Sequence, residues 1–216
     1  MGKAARIHRV KNTLTEEELL RRLPEIETIL DEELQQQTTQ TFLKACPDHF
    51  WERPSSSTGK YHAEDERGEF GNWIHTKRVF VTYLMVSRTY LAQHLITEYE
   101  REAGKSAALL HDMLKYGWPS ERRDHTSNRH DVIGSNVARD IGGLPEEVWR
   151  PIHTHNGAWA EGMTPESDNE QILHIAYYVA SKPVLGNPKI WNPTEEMQKM
   201  YPEIETISDD ELEDLL

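Results

Sequence analysis

Ala107-Ala108-Leu109-Leu110-His111-Asp112-Met113-Leu114-Lys115-Tyr116-Gly117 is the stretch on which the reading of this chain turns. Four apolar residues lead into an adjacent histidine and aspartate, and a helical run of that kind places the pair in the interior. A buried charged pair needs strong partners, because burial strips it of water. Neighbouring side chains on a helix diverge by about 100°. His111 and Asp112 therefore reach one ion only if it lies beside the helix, between their two directions. Imidazole nitrogen and carboxylate oxygen suit Fe, Mn, Zn, Co or Ni, and Asp112 has a second oxygen with which to bridge two ions. A structural alternative leaves His111 capping a neighbouring helix and Asp112 holding Lys115 or an arginine.

Helical spacing continues on either side of this stretch. Upstream, Ile74, Val81, Leu84, Met85, Leu91 and Leu95 recur on a helical period, which predicts one long helix from Trp73 to about Glu102, ended by Gly104. Lys105–Tyr116 follows as a short apolar helix stopped by Gly117 and Pro119. Downstream, His130–Ile141, Pro145–His155 and a segment opened by the Ser167/Glu170 capping box complete the set. The class expected is all-α, a helical bundle over residues 73–185. Residues 1–45 form an N-terminal helical extension with a Thr15/Glu18 capping box, broken or kinked at Pro24. Residues 46–72, with Pro47, Pro54 and SSSTGKYH (55–62), read as a long loop, and residues 186–216 as an acidic tail. PEIETILDEEL (24–34) and PEIETISDDEL (202–212) are near-repeats, expected to form two similar acidic amphipathic helices; a shared docking surface is the alternative.

Composition narrows the partners. A net charge of -13 repels a phosphate backbone, so duplex nucleic acid is not expected as a partner. A small phosphorylated molecule, a nucleotide among them, remains compatible, since bound metal reverses the local field. The single cysteine, Cys46, fits a reducing, cytoplasmic compartment. No apolar run reaches the length of a membrane span, and the first residues lack the apolar core of a signal peptide, so no membrane partner is expected.

Eleven histidines are many for 216 residues, and their grouping carries a resemblance. ALLHDMLKYG (108–117) resembles the His-Asp motif of the HD superfamily of metal-dependent phosphohydrolases. IHTKRV (74–79), RHDVIGSNVA (129–138), IHTHNGAW (152–159) and ILHIAYYVASKP (172–183) resemble its other elements in the same order, over roughly residues 73–183. SSSTGKYH followed by GNWIHTKRV is similar to a group of HD hydrolases common in phages and archaea. A second likeness, in the spacing of elements, is to HD hydrolases of symmetrical dinucleoside tetraphosphates, which points by analogy to a nucleotide-like substrate.

The resemblance implies an HD-domain bundle with one or two divalent transition-metal ions. His75, His111 and Asp112 would hold the first ion; His130 and His155 would hold a second, with Asp112 bridging and His153 as the alternative to His155. Asp112 and Lys115 are the expected catalytic residues, Lys115 as a phosphate contact. Lys60, Tyr61 and His62 are expected to bind substrate, because a glycine before a lysine lets backbone N–H groups approach a phosphate. Arg122, Arg123 and Arg129 are further phosphate candidates. One position departs from the pattern: the aspartate of the final element, which closes the first metal shell in the family, is Tyr177 here. Either the remaining ligands and water suffice, or a carboxylate such as Asp168 substitutes, or the chain is a degenerate member that senses a nucleotide or docks a partner without hydrolysis.

Overall fold

A computed structural model of the chain describes residues 14–59, 62–119, 125–159, 163–185 and 187–216. The described residues are organised almost wholly by helices. Helix α1 (Glu16–Arg22) opens on the Thr15/Glu18 capping box, and Pro24 follows it at the head of a tight 3-10 turn, Pro24–Thr28. Helices α2 (Glu32–Ala45) and α3 (Asp48–Glu52) complete the N-terminal part. The central helix α4 spans Gly71–Ala92, and α5 spans Glu98–Leu110. Helices α6 (His130–Asp140), α7 (Glu146–Thr154) and α8 (Asp168–Ala180) follow, the last capped by Ser167.

The core sits where α4 packs on α5 and α8, and where α7 packs on α5, α6 and α8. Phe80, Leu84, Ala107, Leu110, Ile152, Leu173 and Ala176 meet there with no exposed surface to speak of. This is the helix-on-helix layering expected when every element carries one apolar stripe.

Three differences from the sequence reading have physical causes. The expected single helix Trp73–Glu102 is two helices. The chain leaves α4 through His94, whose φ of 58 is left-handed, and a second capping box, Thr97 with Glu100, starts α5. Gly104 does not end a helix: it lies inside α5, where Tyr83 approaches so closely that a Cβ would stand 1.8 Å from its hydroxyl. The expected helix Lys105–Tyr116 ends at Leu110, and the following backbone closes into tight turns, with Lys115 N–H donating to Asp112 O (3.1 Å) and Gly117 N–H to Leu114 O (2.8 Å).

The near-repeats are not two like helices. The first forms the 3-10 turn and the start of α2. The second forms strand β2 (Thr206–Ile207), parallel to β1 (Ile190–Trp191), and then α10 (Asp209–Leu215). A short helix, α9 (Glu195–Met200), connects the two strands. Both copies turn apolar residues inward, Ile26 and Leu34 in one, Ile207 and Leu212 in the other. Residues 187–216 therefore lie against α4 rather than away from it: Arg78 Nε donates to Pro188 O at 2.7 Å and Lys77 Nζ to Trp191 O at 3.3 Å. Among the described residues no helix is long and apolar enough to cross a membrane.

Candidate metal centre

Asp112 is fully buried at the point where α5 gives way to its closing turns, and its two oxygens face two different pairs of histidines. Oδ2 lies 3.6 Å from His75 Nε2 and 3.4 Å from His111 Nε2. Oδ1 lies 3.1 Å from His130 Nε2 and 3.6 Å from His155 Nε2. The tight turn after Leu110 lets adjacent residues serve one point in space. Asn72, fully buried in the first turn of α4, holds the turn by donating its side-chain amide to Asp112 O at 3.0 Å.

Each histidine is anchored through its other nitrogen. Nδ1 of His111 meets Ala108 O at 2.8 Å, Nδ1 of His130 meets Ser127 O at 2.7 Å, and Nδ1 of His155 meets Ile152 O at 2.6 Å. Nδ1 of His75 meets a carboxylate, Glu66 Oε2, at 3.2 Å. A backbone carbonyl or carboxylate accepts only from N–H, so Nδ1 carries the proton and Nε2 is left with its lone pair. Four Nε2 atoms thus converge on one carboxylate as acceptors. His75 Nε2, His111 Nε2 and Asp112 Oδ1 are buried with no hydrogen bond of normal geometry. Buried acceptors without donors are costly, and a cation between them would satisfy all of them at once. The donor set, imidazole nitrogen with carboxylate oxygen, fits a divalent transition metal on either side of Asp112.

Electrostatics agree with the geometry. Burial pushes His75 down to about 3 and His155 down to about 4, which keeps both rings neutral. Burial alone would raise Asp112, but Lys115, ahead of His111, holds its carboxyl well below the usual range. Lys115 Nζ makes a close contact with Asp112 Oδ2 and lies 5.6 Å from the centre of the Tyr177 ring. Tyr177 presents its ring edgewise to the rings of His75, His111 and His155, with centroids 5.6, 5.9 and 5.0 Å away. Burial raises its phenol above the ordinary value.

The cluster opens on a cavity of about 520 Å³ lined by Ser55, Ser56, His62, Lys115, Tyr177 and Lys182 among others. None of the described lining residues is a carboxylate, in a chain of net charge -13. The loop that supplies Ser55 and Ser56 is pinned beside the start of α4. Ser55 N–H donates to Glu66 O at 2.9 Å, Asn72 N–H to Arg53 O at 2.8 Å, and Tyr116 Oη to Pro54 O at 2.8 Å.

Of the residues singled out in the sequence, His75, His111, Asp112, His130 and His155 come together, with Lys115 against Asp112 and His62 on the cavity wall. Lys60, Tyr61, Arg122 and Arg123 lie outside the described residues. His153 turns away, toward Ser135 Oγ at 3.4 Å. Arg129 is exposed at the N-terminus of α6. Asp168 belongs to none of the ligand clusters: it is exposed in the first turn of α8, nine residues before Tyr177 and so about 13 Å along the helix. His174 supports the centre without joining it, its Nδ1 lying 2.7 Å from His155 O. Glu66, Asn72 and Arg78 escaped the sequence reading. Glu66 sits in an acidic run of a polar loop, Glu64-Asp65-Glu66, where nothing separates a buried carboxylate from a solvated one.

An HD-domain family model matches residues 72–181, just over half of the chain. No curated protein and no solved structure gives a significant match.

Proposed function

Because the chain belongs to the HD-domain family, a superfamily of metal-dependent phosphohydrolases, we propose that it hydrolyses a small phosphoester, nucleotides included. The observation that carries the proposal is Asp112, whose two oxygens each face a histidine pair beside a cavity with no carboxylate among its described lining residues. His75, His111 and Asp112 would hold one ion, and His130, His155 and the other Asp112 oxygen a second. A bound divalent ion lowers the pKa of its water and screens phosphate charge.

The chain's own residues supply the rest. Lys115 is buried on the cavity wall beside Asp112, where its ammonium would hold a phosphate oxygen as a point charge. Asn156 Nδ2, 3.3 Å from His130 Nε2, offers a further donor at the same place. Lys182 adds a second cation to the wall, stacked over Tyr178 at 5.5 Å.

Tyr177 favours a second reading, a binding module without hydrolysis, because a protonated phenol brings no charge to the first ion. Metal analysis of the purified protein, with phosphate release from a panel of phosphomonoesters, nucleotides and dinucleotides, separates the two. Hydrolysis predicts bound metal, release from part of the panel, and loss of both in Asp112→Asn. Bound metal with no release from any compound supports the binding module. Metal content equal in wild type and Asp112→Asn would sink the metal centre itself.

A further inference from the structure

Glu66 is fully buried, and its two oxygens are both engaged. Oε2 accepts from two imidazoles at once, His62 Nδ1 at 2.7 Å and His75 Nδ1 at 3.2 Å. Oε1 takes Nη1 of Arg78 in a close contact. Arg78 is itself buried and is held from two further sides, by Asp65 Oδ2 at 2.7 Å and by Pro188 O at 2.7 Å. The carboxylate is therefore clamped, and both rings it touches are fixed by it. They stand edge to face, 4.8 Å between centroids, and neither is exposed.

The two rings face different things. With Nδ1 of His75 turned to Glu66, its Nε2 points to Asp112 and has no hydrogen-bond partner. With Nδ1 of His62 turned to the same oxygen, Nε2 is the nitrogen left for whatever occupies the cavity that His62 lines. The four metal-facing histidines are not equivalent in this respect. His111, His130 and His155 rest on backbone carbonyls, which are neutral; His75 alone rests on a carboxylate. A carboxylate behind an imidazole fixes the tautomer and makes the far nitrogen a stronger donor to metal. It also places negative charge near an ion whose own protein ligands would carry only the shared charge of Asp112.

We propose that Glu66 is a positioning residue of the metal centre, tuning His75 through Nδ1 and holding His62 in the cavity wall, without being a ligand itself. The proposal rests on the metal centre proposed above. His62, Glu66 and His75 also lie close enough together to form an ion site of their own, in which Glu66 would be a direct ligand. The hydrogen-bonding distances argue against that site: a single Glu66 oxygen already bridges both Nδ1 atoms, whereas the unsatisfied nitrogen of His75 lies on the other side.

The test is calorimetric titration of metal-free protein with Co²⁺, read together with the visible absorption of the Co²⁺ complex. Glu66→Gln keeps the shape of the side chain and leaves Arg78 its Asp65 partner. The expected result is an unchanged stoichiometry, a 10–100-fold weaker affinity for one ion, and shifted absorption bands, the scale usual for losing a carboxylate behind a histidine ligand. Affinity and spectrum equal to wild type would overturn the proposal. So would loss of one equivalent that persists in Asp112→Asn but disappears in His62→Ala, since Glu66 would then be a ligand of its own site. Should wild type bind no Co²⁺, the metal centre fails and this proposal with it. Nitrogen-15 spectra of the wild-type histidines keep the idea testable if Glu66→Gln does not fold. His75 and His62 must both carry the proton on Nδ1 in the metal-free protein, and an Nε2–H form of His75 would overturn the assignment.

Discussion

At residue scale, the chemistry of the centre is concentrated on Asp112, whose carboxylate lies between four imidazoles. His111 and Asp112 declare themselves because an adjacent His-Asp pair after four apolar residues has few ways to be stable once buried. His75, His130 and His155 stand out from eleven histidines only through a family resemblance, and it is the packing of α4, α6 and α7 around the end of α5 that brings them to one carboxylate. Tyr177 stands in the sequence as a departure from the family pattern, and its surroundings give it a packing role. Its ring fills the space between three histidines and Lys115. Tyr177→Asp exchanges that packing for a carboxylate beside the first ion. Lost ring burial should lower the stability of the metal-free protein by about 3 kcal/mol. A charge-assisted contact to metal should raise metal affinity about tenfold or more. Thermal unfolding with and without added Co²⁺ reads both, the variant starting lower and gaining more from metal. A variant that folds yet gains no affinity means the existing ligands already complete the shell.

At the scale of elements, periodicity places α6 and α7 to within a residue or two, and the Ser167 cap does the same for the start of α8. The break between α4 and α5 carries a signal of its own, the Thr97/Glu100 capping box, set inside one continuous apolar period that reads as a single helix. Gly104 reads as the stop in the sequence because glycine so often ends a helix. Its role is different. Tyr83 is fully buried and its hydroxyl donates to Asn169 Oδ1 at 2.8 Å, directly over Gly104, so α4, α5 and α8 meet at a point with no room for a methyl group. Gly104→Ala gains helix propensity of about 1 kcal/mol. The clash outweighs it, since a ring fixed on both sides cannot retreat, and overpacking costs about 1–3 kcal/mol. Urea unfolding should show a net loss. In a Tyr83→Phe background the same substitution should cost less. A stabilised Gly104→Ala would mean that the three helices part more easily than their contact implies.

At the scale of the whole molecule, the chain closes on itself through buried ions rather than through apolar surface alone. The segment from 187 onward reads as an acidic tail because its apolar residues are isolated: Ile190, Met197, Ile207 and Leu212 fall on no single period, yet all four are buried. What draws it in are cations on the central helices. Arg101 reaches the Leu215 and Leu216 main-chain oxygens in close contacts, and Lys77 binds both Trp191 O and Glu25 Oε1, the latter at 2.6 Å. Lys77 and Glu25 are fully buried, so this pair ties α4 to the N-terminal 3-10 turn and to β1 at once. Lys77→Met leaves Glu25 alone in the interior, and breaking a buried pair in this way costs about 3–5 kcal/mol. The pH dependence follows from the sign of the Glu25 shift. Burial raises its carboxyl above the ordinary value even with Lys77 opposing. A group raised on folding contributes stability below its unfolded pKa and loses it as pH rises through the folded one. Without Lys77 the shift is larger, so the deficit of Lys77→Met should be greatest near neutrality and shrink as pH falls and Glu25 takes up a proton. The Glu25→Gln/Lys77→Met double variant removes the charge and should show little of this slope. Urea unfolding of the wild type and both variants at several pH values measures it, and a deficit independent of pH would mean that Glu25 does not stay buried once its partner is gone.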